Sequence, residues 1–242
     1  MNLGCLYGVG LGPGDPDLVT IKAVRVLESA PVVAFFAKTG RQGNARTIAE
    51  RWIPATAREL PLHYPVTTEI PVSDPAYNQM LRDFYEGATG MLAAELAAGR
   101  DVALLAEGDP LFYGSFMHLY VRLRERFPVT IVPGVTGMAG CWAAAGETMT
   151  WGDDIMTILP GTLPQDALVD RLRNTDAAVI MKVGRNFAKV RRALQDSGHY
   201  ERAIYVERGT MSGEKVMKLS EKLDDSAPYF AIVLVAGQGR RP

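Results

Sequence analysis

The chain has 242 residues, 48% of them apolar and 22% charged, a balance that excludes a disordered polymer and allows one large domain or two smaller ones. Its 26 basic and 27 acidic side chains leave a net charge of −1, so no global field draws in nucleic acid or an anionic membrane. The longest apolar runs, Ala30–Ala37 and Tyr229–Gly237, fall far short of the roughly 18 residues that cross a bilayer.

Along the chain, short apolar runs alternate with helical periods, the pattern of an α/β fold. Leu6–Val9 reads as a strand running into the turn Gly10–Gly14. Thr20 is placed to cap a helix whose stripe is Ile21, Val24 and Leu27. Pro31–Ala37 reads as a buried strand, and Ala45, Ile48, Ala49 and Trp52 recur as one helical face. Asp74-Pro75 opens a further helix bearing Tyr77, Met80, Leu81 and Phe84, with a break expected at Gly87 and Gly90. Val102–Ala106 is the next strand, Phe116 to Leu123 the next helix, and Val129–Val132 a strand ending at Pro133-Gly134.

After Gly146 the rhythm restarts. Strands are expected at Ile155–Leu159, Ala177–Val183 and Ala203–Glu207, with helices at Gln165–Leu172 and Phe187–Leu194. Lys215–Leu219 and Phe230–Val235 close the pattern. The reading is two successive α/β domains, 1–145 and 146–242, joined near Ala143–Trp151.

Cys5 and Cys141 form no Cys-x-x-Cys pair and read as reduced thiols of a cytoplasmic protein. The opening Met1-Asn2-Leu3-Gly4 has neither a basic segment nor a cleavage site, which points away from export. His63, His118 and His199 have no ligand-like spacing, so no protein-bound metal is expected.

Chemistry is expected at three turns, each following a strand. Gly8-Val9-Gly10-Leu11-Gly12-Pro13-Gly14 lacks the Gly-Lys-Ser/Thr of a phosphate-binding P-loop, because Gly14 is followed by Asp15-Pro16. It also lacks the acid that ends the second strand of a dinucleotide fold, where Phe35-Phe36-Ala37-Lys38 stands instead. A plain tight turn is an equal alternative for this loop. In Glu107–Gly114, Asp109 before Pro110 is either a turn former or a carboxylate that fixes a ligand. In Pro133–Gly140, the small residues Gly137, Ala139 and Gly140 suit close helix packing or close approach to a ligand. Together the turns suggest a nucleoside-like ligand.

These segments also resemble a known family. Gly-x-Gly-x-Gly-Pro-Gly-Asp-Pro-Asp-Leu-x-Thr at Gly8–Thr20, Glu-Gly-Asp-Pro-Leu-Phe-Tyr-Gly at Glu107–Gly114 and Pro-Gly-Val-Thr at Pro133–Thr136 resemble the tetrapyrrole methylases in order and spacing. Phe36–Ala45, Tyr64–Glu69, Leu159–Pro164, Met181–Asn186 and Tyr205–Met211 resemble the branch that methylates C20 of precorrin-2 in cobalamin synthesis.

The resemblance implies a homodimer of two α/β domains per chain that binds S-adenosylmethionine in the cleft between them and releases S-adenosylhomocysteine. It assigns cofactor contacts to Pro13, Gly108, Asp109, Phe112, Thr136, Gly137, Met181, Gly209 and Thr210. The implied reaction is methyl transfer to C20 of precorrin-2 to give precorrin-3A, with the cobalt-containing analogue, cobalt-factor II, as the alternative substrate. A nicotinamide-dependent reductase and a non-catalytic tetrapyrrole carrier are the rivals from other classes.

The substrate carries many carboxylates, and Lys38, Arg41, Arg46 and Arg185 are the cations expected to hold it, with Tyr113 beside them. The resemblance implies that relatives methylating pyrrole-ring carbons often end the second strand in aspartate. Phe36 takes that place here, so the proton acceptor is left without a name; Tyr113 and Glu69 are the candidates.

Overall fold

A computed structural model describes residues 2–65 and 74–239. The Tyr64–Glu69 segment therefore falls outside the described residues beyond Pro65, and Glu69 with it. The chain divides into two compact units between Thr136 and Gly137.

The first unit holds β1 (Leu6–Gly10), α1 (Ile21–Ser29), β2 (Val32–Lys38), α2 (Asn44–Ala49), β3 (Arg58–Tyr64), α3 (Pro75–Ala97), β4 (Val102–Ala106), α4 (Phe116–Leu123) and β5 (Val129–Val132). Its five strands form a parallel sheet in the order β3-β2-β4-β1-β5. Such a sheet needs cover on both faces. Alternation along β2 provides for it: Val32 and Ala34 face α3 and α4, whereas Val33 and Phe35 face α1 and α2. Because every strand runs the same way, the turns after β1, β4 and β5 gather at one edge.

Thr20 caps α1 by accepting from the Ala23 N–H at 3.2 Å, and Asp74 caps α3 through the Ala76 N–H at 2.9 Å. The break expected at Gly87 and Gly90 does not occur, and α3 runs unbroken for 23 residues. Two helical glycines cost about 2 kcal/mol together. Fully burying Leu92 and Leu96 on the opposite face returns roughly 3–6 kcal/mol, which decides the matter.

Sequence reading missed β3, because Pro61 interrupts it. It is an edge strand, where a missing N–H is tolerated, and it buries Leu60 and Leu62 at alternate positions. At the start of β3, buried Glu95 of α3 accepts from Arg58 at 2.7 Å and from Arg100 at 2.6 Å.

The second unit holds α5 (Gly137–Ala145), β6 (Met156–Pro160), α6 (Gln165–Arg173), β7 (Ala177–Met181), α7 (Phe187–Asp196), β8 (Ala203–Glu207), β9 (Lys215–Lys218) and β10 (Ala231–Val235). Its mixed sheet has the order β6-β7-β10-β8-β9. Strand β10 is antiparallel to both β7 and β8, so β6, β7 and β8 end at the same edge. Helices α6 and α7 cover one face and α5 the other, with Cys141 packed on Val179, Val206 and Leu234. The division falls nine residues before the one expected from the sequence, since α5 packs on β8 and β10.

Candidate active site

In the first unit the three strand-end turns are knitted together by backbone contact. Gly12 and Gly108 exchange hydrogen bonds: the Gly108 N–H donates to Gly12 O at 2.8 Å, and the Gly12 N–H to Gly108 O at 3.3 Å. Both have positive φ, +78° and +65°, a conformation glycine reaches without penalty. A Cβ on Gly10 would stand 2.5 Å from Gly134 N and 2.8 Å from Gly108 O, so the turns after β1, β4 and β5 meet with no room for a side chain.

Asp109 completes this brace. One carboxylate oxygen accepts from the Leu111 N–H at 2.9 Å and the other from the Gly134 N–H at 3.1 Å. Its first role is therefore to lock the second turn to the third, and the turn-former reading is the one this geometry supports.

Pro13 and Phe112 are half-buried beside the brace, with Phe112 edge-on to Tyr113 at 4.9 Å. Tyr113 is 43% exposed and held at φ +53°, a strained conformation for a bulky residue. Thr136 is half-buried and follows the third turn.

Glu107 opens the second glycine-rich motif and has no role assigned from the sequence. It is the first residue after β4; the residue is exposed, while its carboxyl end is crowded by the surrounding protein. Its carboxyl is pushed above the usual range by burial, against hydrogen bonds from the Asn44 side chain and the Ala45 N–H that favour the charged form.

The cations expected to hold a substrate divide. Lys38, the last residue of β2, and Arg41, in the turn that follows, are both exposed, and the Arg41 N–H donates to Lys38 O at 3.0 Å. Arg46 is removed from that set. Its guanidinium grips Glu59 of β3 with two hydrogen bonds, 3.0 and 2.8 Å, and is only 12% exposed. The same pairing holds the Glu59 carboxyl below its usual range.

Behind these turns lies an aromatic cluster that sequence reading also missed. Phe36 stacks on Tyr64 at 5.4 Å, Tyr64 meets Phe84 at 4.8 Å, and Tyr85 stacks on His118 at 4.3 Å. The Tyr64 and Tyr85 hydroxyls both bond Ser115 Oγ. Phe36 is thus a packing residue at the end of β2.

In the second unit, the Gly137 position is open: a Cβ there would meet nothing within 4 Å. Met181 ends β7 and accepts through its carbonyl from the Gly161 N–H at 2.6 Å. Gly209, after β8, lies so close to α5 that a Cβ would stand 2.8 Å from Cys141 Sγ. Thr210 donates its N–H to Glu214 at 2.6 Å.

Lys182, Arg208 and Thr210 all have positive φ, at +55°, +53° and +65°. With Tyr113, all four such non-glycine residues among the described ones lie on turns after β4, β7 and β8. Backbone strain of this kind costs about 1–3 kcal/mol per residue and collects where function requires a fixed shape. Arg185 is exposed on the short helical turn before α7. No group of three or more His, Cys, Asp or Glu residues able to hold a metal occurs among the described residues.

Comparison with known proteins places this arrangement. The family description Tetrapyrrole (Corrin/Porphyrin) Methylases matches residues 5–223. A precorrin-2 C(20)-methyltransferase of Sinorhizobium sp. is 55% identical over 242 residues, spanning 100% of this chain and 99% of that protein. A cobalt-precorrin-2 C(20)-methyltransferase of Salmonella typhimurium is 28% identical over 240 residues, 97% of each. Among solved structures, a uroporphyrin-III C-methyltransferase of Thermus thermophilus complexed with S-adenosylhomocysteine aligns with a TM-score of 0.66 at 23% identity, over 96% of this chain and 92% of that one. With two α/β units and glycine-braced strand ends in place, the chain belongs to the tetrapyrrole methylases.

Proposed function

We propose that this protein transfers the methyl group of S-adenosylmethionine to C20 of precorrin-2, giving precorrin-3A, in cobalamin biosynthesis. One observation carries the reading: the 55% identity, end to end, with a precorrin-2 C(20)-methyltransferase. The lower identity, 28%, to a relative named for the cobalt substrate favours the metal-free macrocycle.

The shapes of several of these residues support the cofactor reading. The open position at Gly137 leaves space beside backbone, and Phe112 and Met181 offer half-buried apolar surface suited to an adenosine. Pro13, Gly108, Thr136, Gly209 and Thr210 supply the remaining contacts, and Asp109 holds two of the turns in register. When bound, S-adenosylmethionine supplies an electrophilic methyl group.

The chain's own task is alignment. C20 of the reduced macrocycle is electron-rich, and holding reactants in attack geometry supplies roughly 7–11 kcal/mol of a barrier. Turns fixed by backbone contact suit that work better than mobile ones. Lys38, Arg41 and Arg185 hold substrate carboxylates, and Tyr113 lies alongside. The protein works as a homodimer in the cytoplasm. Among the described residues no helix is long and apolar enough to cross a membrane.

The test supplies purified protein with methyl-labelled S-adenosylmethionine and either precorrin-2 or its cobalt form, and reads product mass and label position. Label at C20 of the metal-free product is expected. Label at another carbon, or none with either substrate, overturns the reading.

A further inference from the structure

Methylation at C20 leaves that carbon with both its hydrogen and the new methyl group, so the reaction ends only when a base removes a proton. The ends of the first unit's strands offer few carboxylates among the described residues. Asp109 has both oxygens on backbone amides. Asp17 pairs with Arg51 at 2.6 Å, and Asp15 caps the Asp17 N–H at 2.9 Å. The turn Lys38–Gly43 after β2 contains no acid.

Glu107 differs from these three. It projects from the turn after β4, the strand hydrogen-bonded to β2, and its carboxylate is held by the Asn44 side chain and the Ala45 N–H. Both donors are neutral, so the group is fixed in place without a cation that would quench its basicity. Part of the residue is open to solvent, which gives the proton an exit once the carboxyl has taken it.

We propose that Glu107 is the base that takes the C20 proton, a role that rests on the methyl-transfer reading above. The C20–CH3 bond forms as the S–CH3 bond breaks, with that electron pair leaving on sulfur. The C20–H bond then breaks, its electrons return to the macrocycle π system, and the proton moves to a Glu107 carboxylate oxygen and on to water.

The upward push that crowding gives this carboxyl brings its basicity nearer to neutral pH, where a general base works best. The charged groups on surrounding elements are Lys38 at the end of β2, Arg41 in the turn that follows, Arg46 on α2, already bound to Glu59, and Asp109 on the same turn. None of these is among the causes of the shift.

The experiment compares wild type, Glu107→Gln and Asn44→Ala with precorrin-2 carrying hydrogen or deuterium at C20. Glu107→Gln keeps an acceptor for Asn44 and Ala45 but takes up no proton. Its kcat should fall about 100-fold or more, the range of a lost general base. S-adenosylhomocysteine affinity should stay within twofold, and a primary isotope effect should appear or grow in kcat. Asn44→Ala removes a hydrogen bond that favours the charged carboxylate. It should move the ascending limb of the kcat–pH profile upward while keeping the plateau.

Wild-type kcat and an unchanged isotope effect in Glu107→Gln overturn the assignment. If that variant does not fold, an unmoved limb in Asn44→Ala overturns it instead. Wild type that fails to methylate precorrin-2 overturns the functional reading as well, which separates the two failures.

Discussion

Two glycines three residues apart should respond to the same substitution in opposite ways. At Gly134, an added Cβ would overlap the Gly108 carbonyl oxygen and stand 2.9 Å from Gly10 Cα. Every one of these neighbours is backbone in a sheet-anchored turn, so none yields by rotating a side chain. Overpacking of this kind costs about 1–3 kcal/mol, and rigid neighbours place Gly134→Ala near the upper end. At roughly 2–4 °C per kcal/mol, the melting temperature should drop by about 6–12 °C.

At Gly137 the Cβ meets nothing, and alanine is the better helix former at the start of α5. Gly137→Ala should therefore melt at or slightly above wild type. If the open space faces the cofactor, its affinity for S-adenosylhomocysteine should fall about tenfold, equivalent to 1.4 kcal/mol. Scanning calorimetry and titration calorimetry read the two quantities separately. Gly134→Ala melting like wild type would refute the argument that the turns are locked by contact. Gly137→Ala binding as wild type does would refute a cofactor contact there.

Asp109→Asn should destabilise nearly as much as alanine, by about 1.5–3 kcal/mol, because an amide offers one acceptor to two N–H donors; a wild-type melting temperature would contradict the brace. Cys141, pushed up to about 11 by burial, should resist alkylation of the folded protein at pH 8 and react only on unfolding, as peptide mass analysis would reveal. Glu107 binds its proton more tightly folded than unfolded, so its contribution to stability is full below about pH 4.3 and is lost as pH rises through the folded value. Glu107→Gln should accordingly melt higher than wild type at pH 7–8, with the gap closing in acid; a constant gap would contradict the raised pKa.

Much of the fold was legible because apolar period and punctuation agreed. Thr20 and Asp74 cap the helices they were expected to cap, and the glycine turns fall at strand ends. What escaped was non-local. Arg46 looked free beside Lys38 and Arg41 because its partner, Glu59, lies on the strand that Pro61 concealed. One missed edge strand thus produced one misread cation. The acceptor duty of Asp109 to Gly134 spans 25 residues and escaped notice, because only the parallel order β4-β1-β5 brings those turns together. Gly87 and Gly90 misled in the other direction, since local propensity lost to burial of the far face of α3.

The distribution of strain follows from the same division between sheet and turn. Interior strands such as β4 and β10 are buried along their whole length, with ladder hydrogen bonds on both sides, so their ends are fixed in space. A turn leaving such an end has few residues in which to redirect the chain, and Tyr113, Lys182, Arg208 and Thr210 take the left-handed conformations that this demands. Glycine would relieve each of them by about 1–2 kcal/mol. Those positions instead carry a phenol, an ammonium, a guanidinium and a hydroxyl. If the side chains served no purpose, glycine substitution would raise stability at no loss of activity. Retaining strained, chemically capable residues on turns within each unit is the pattern of a fold that gives up stability for its chemistry.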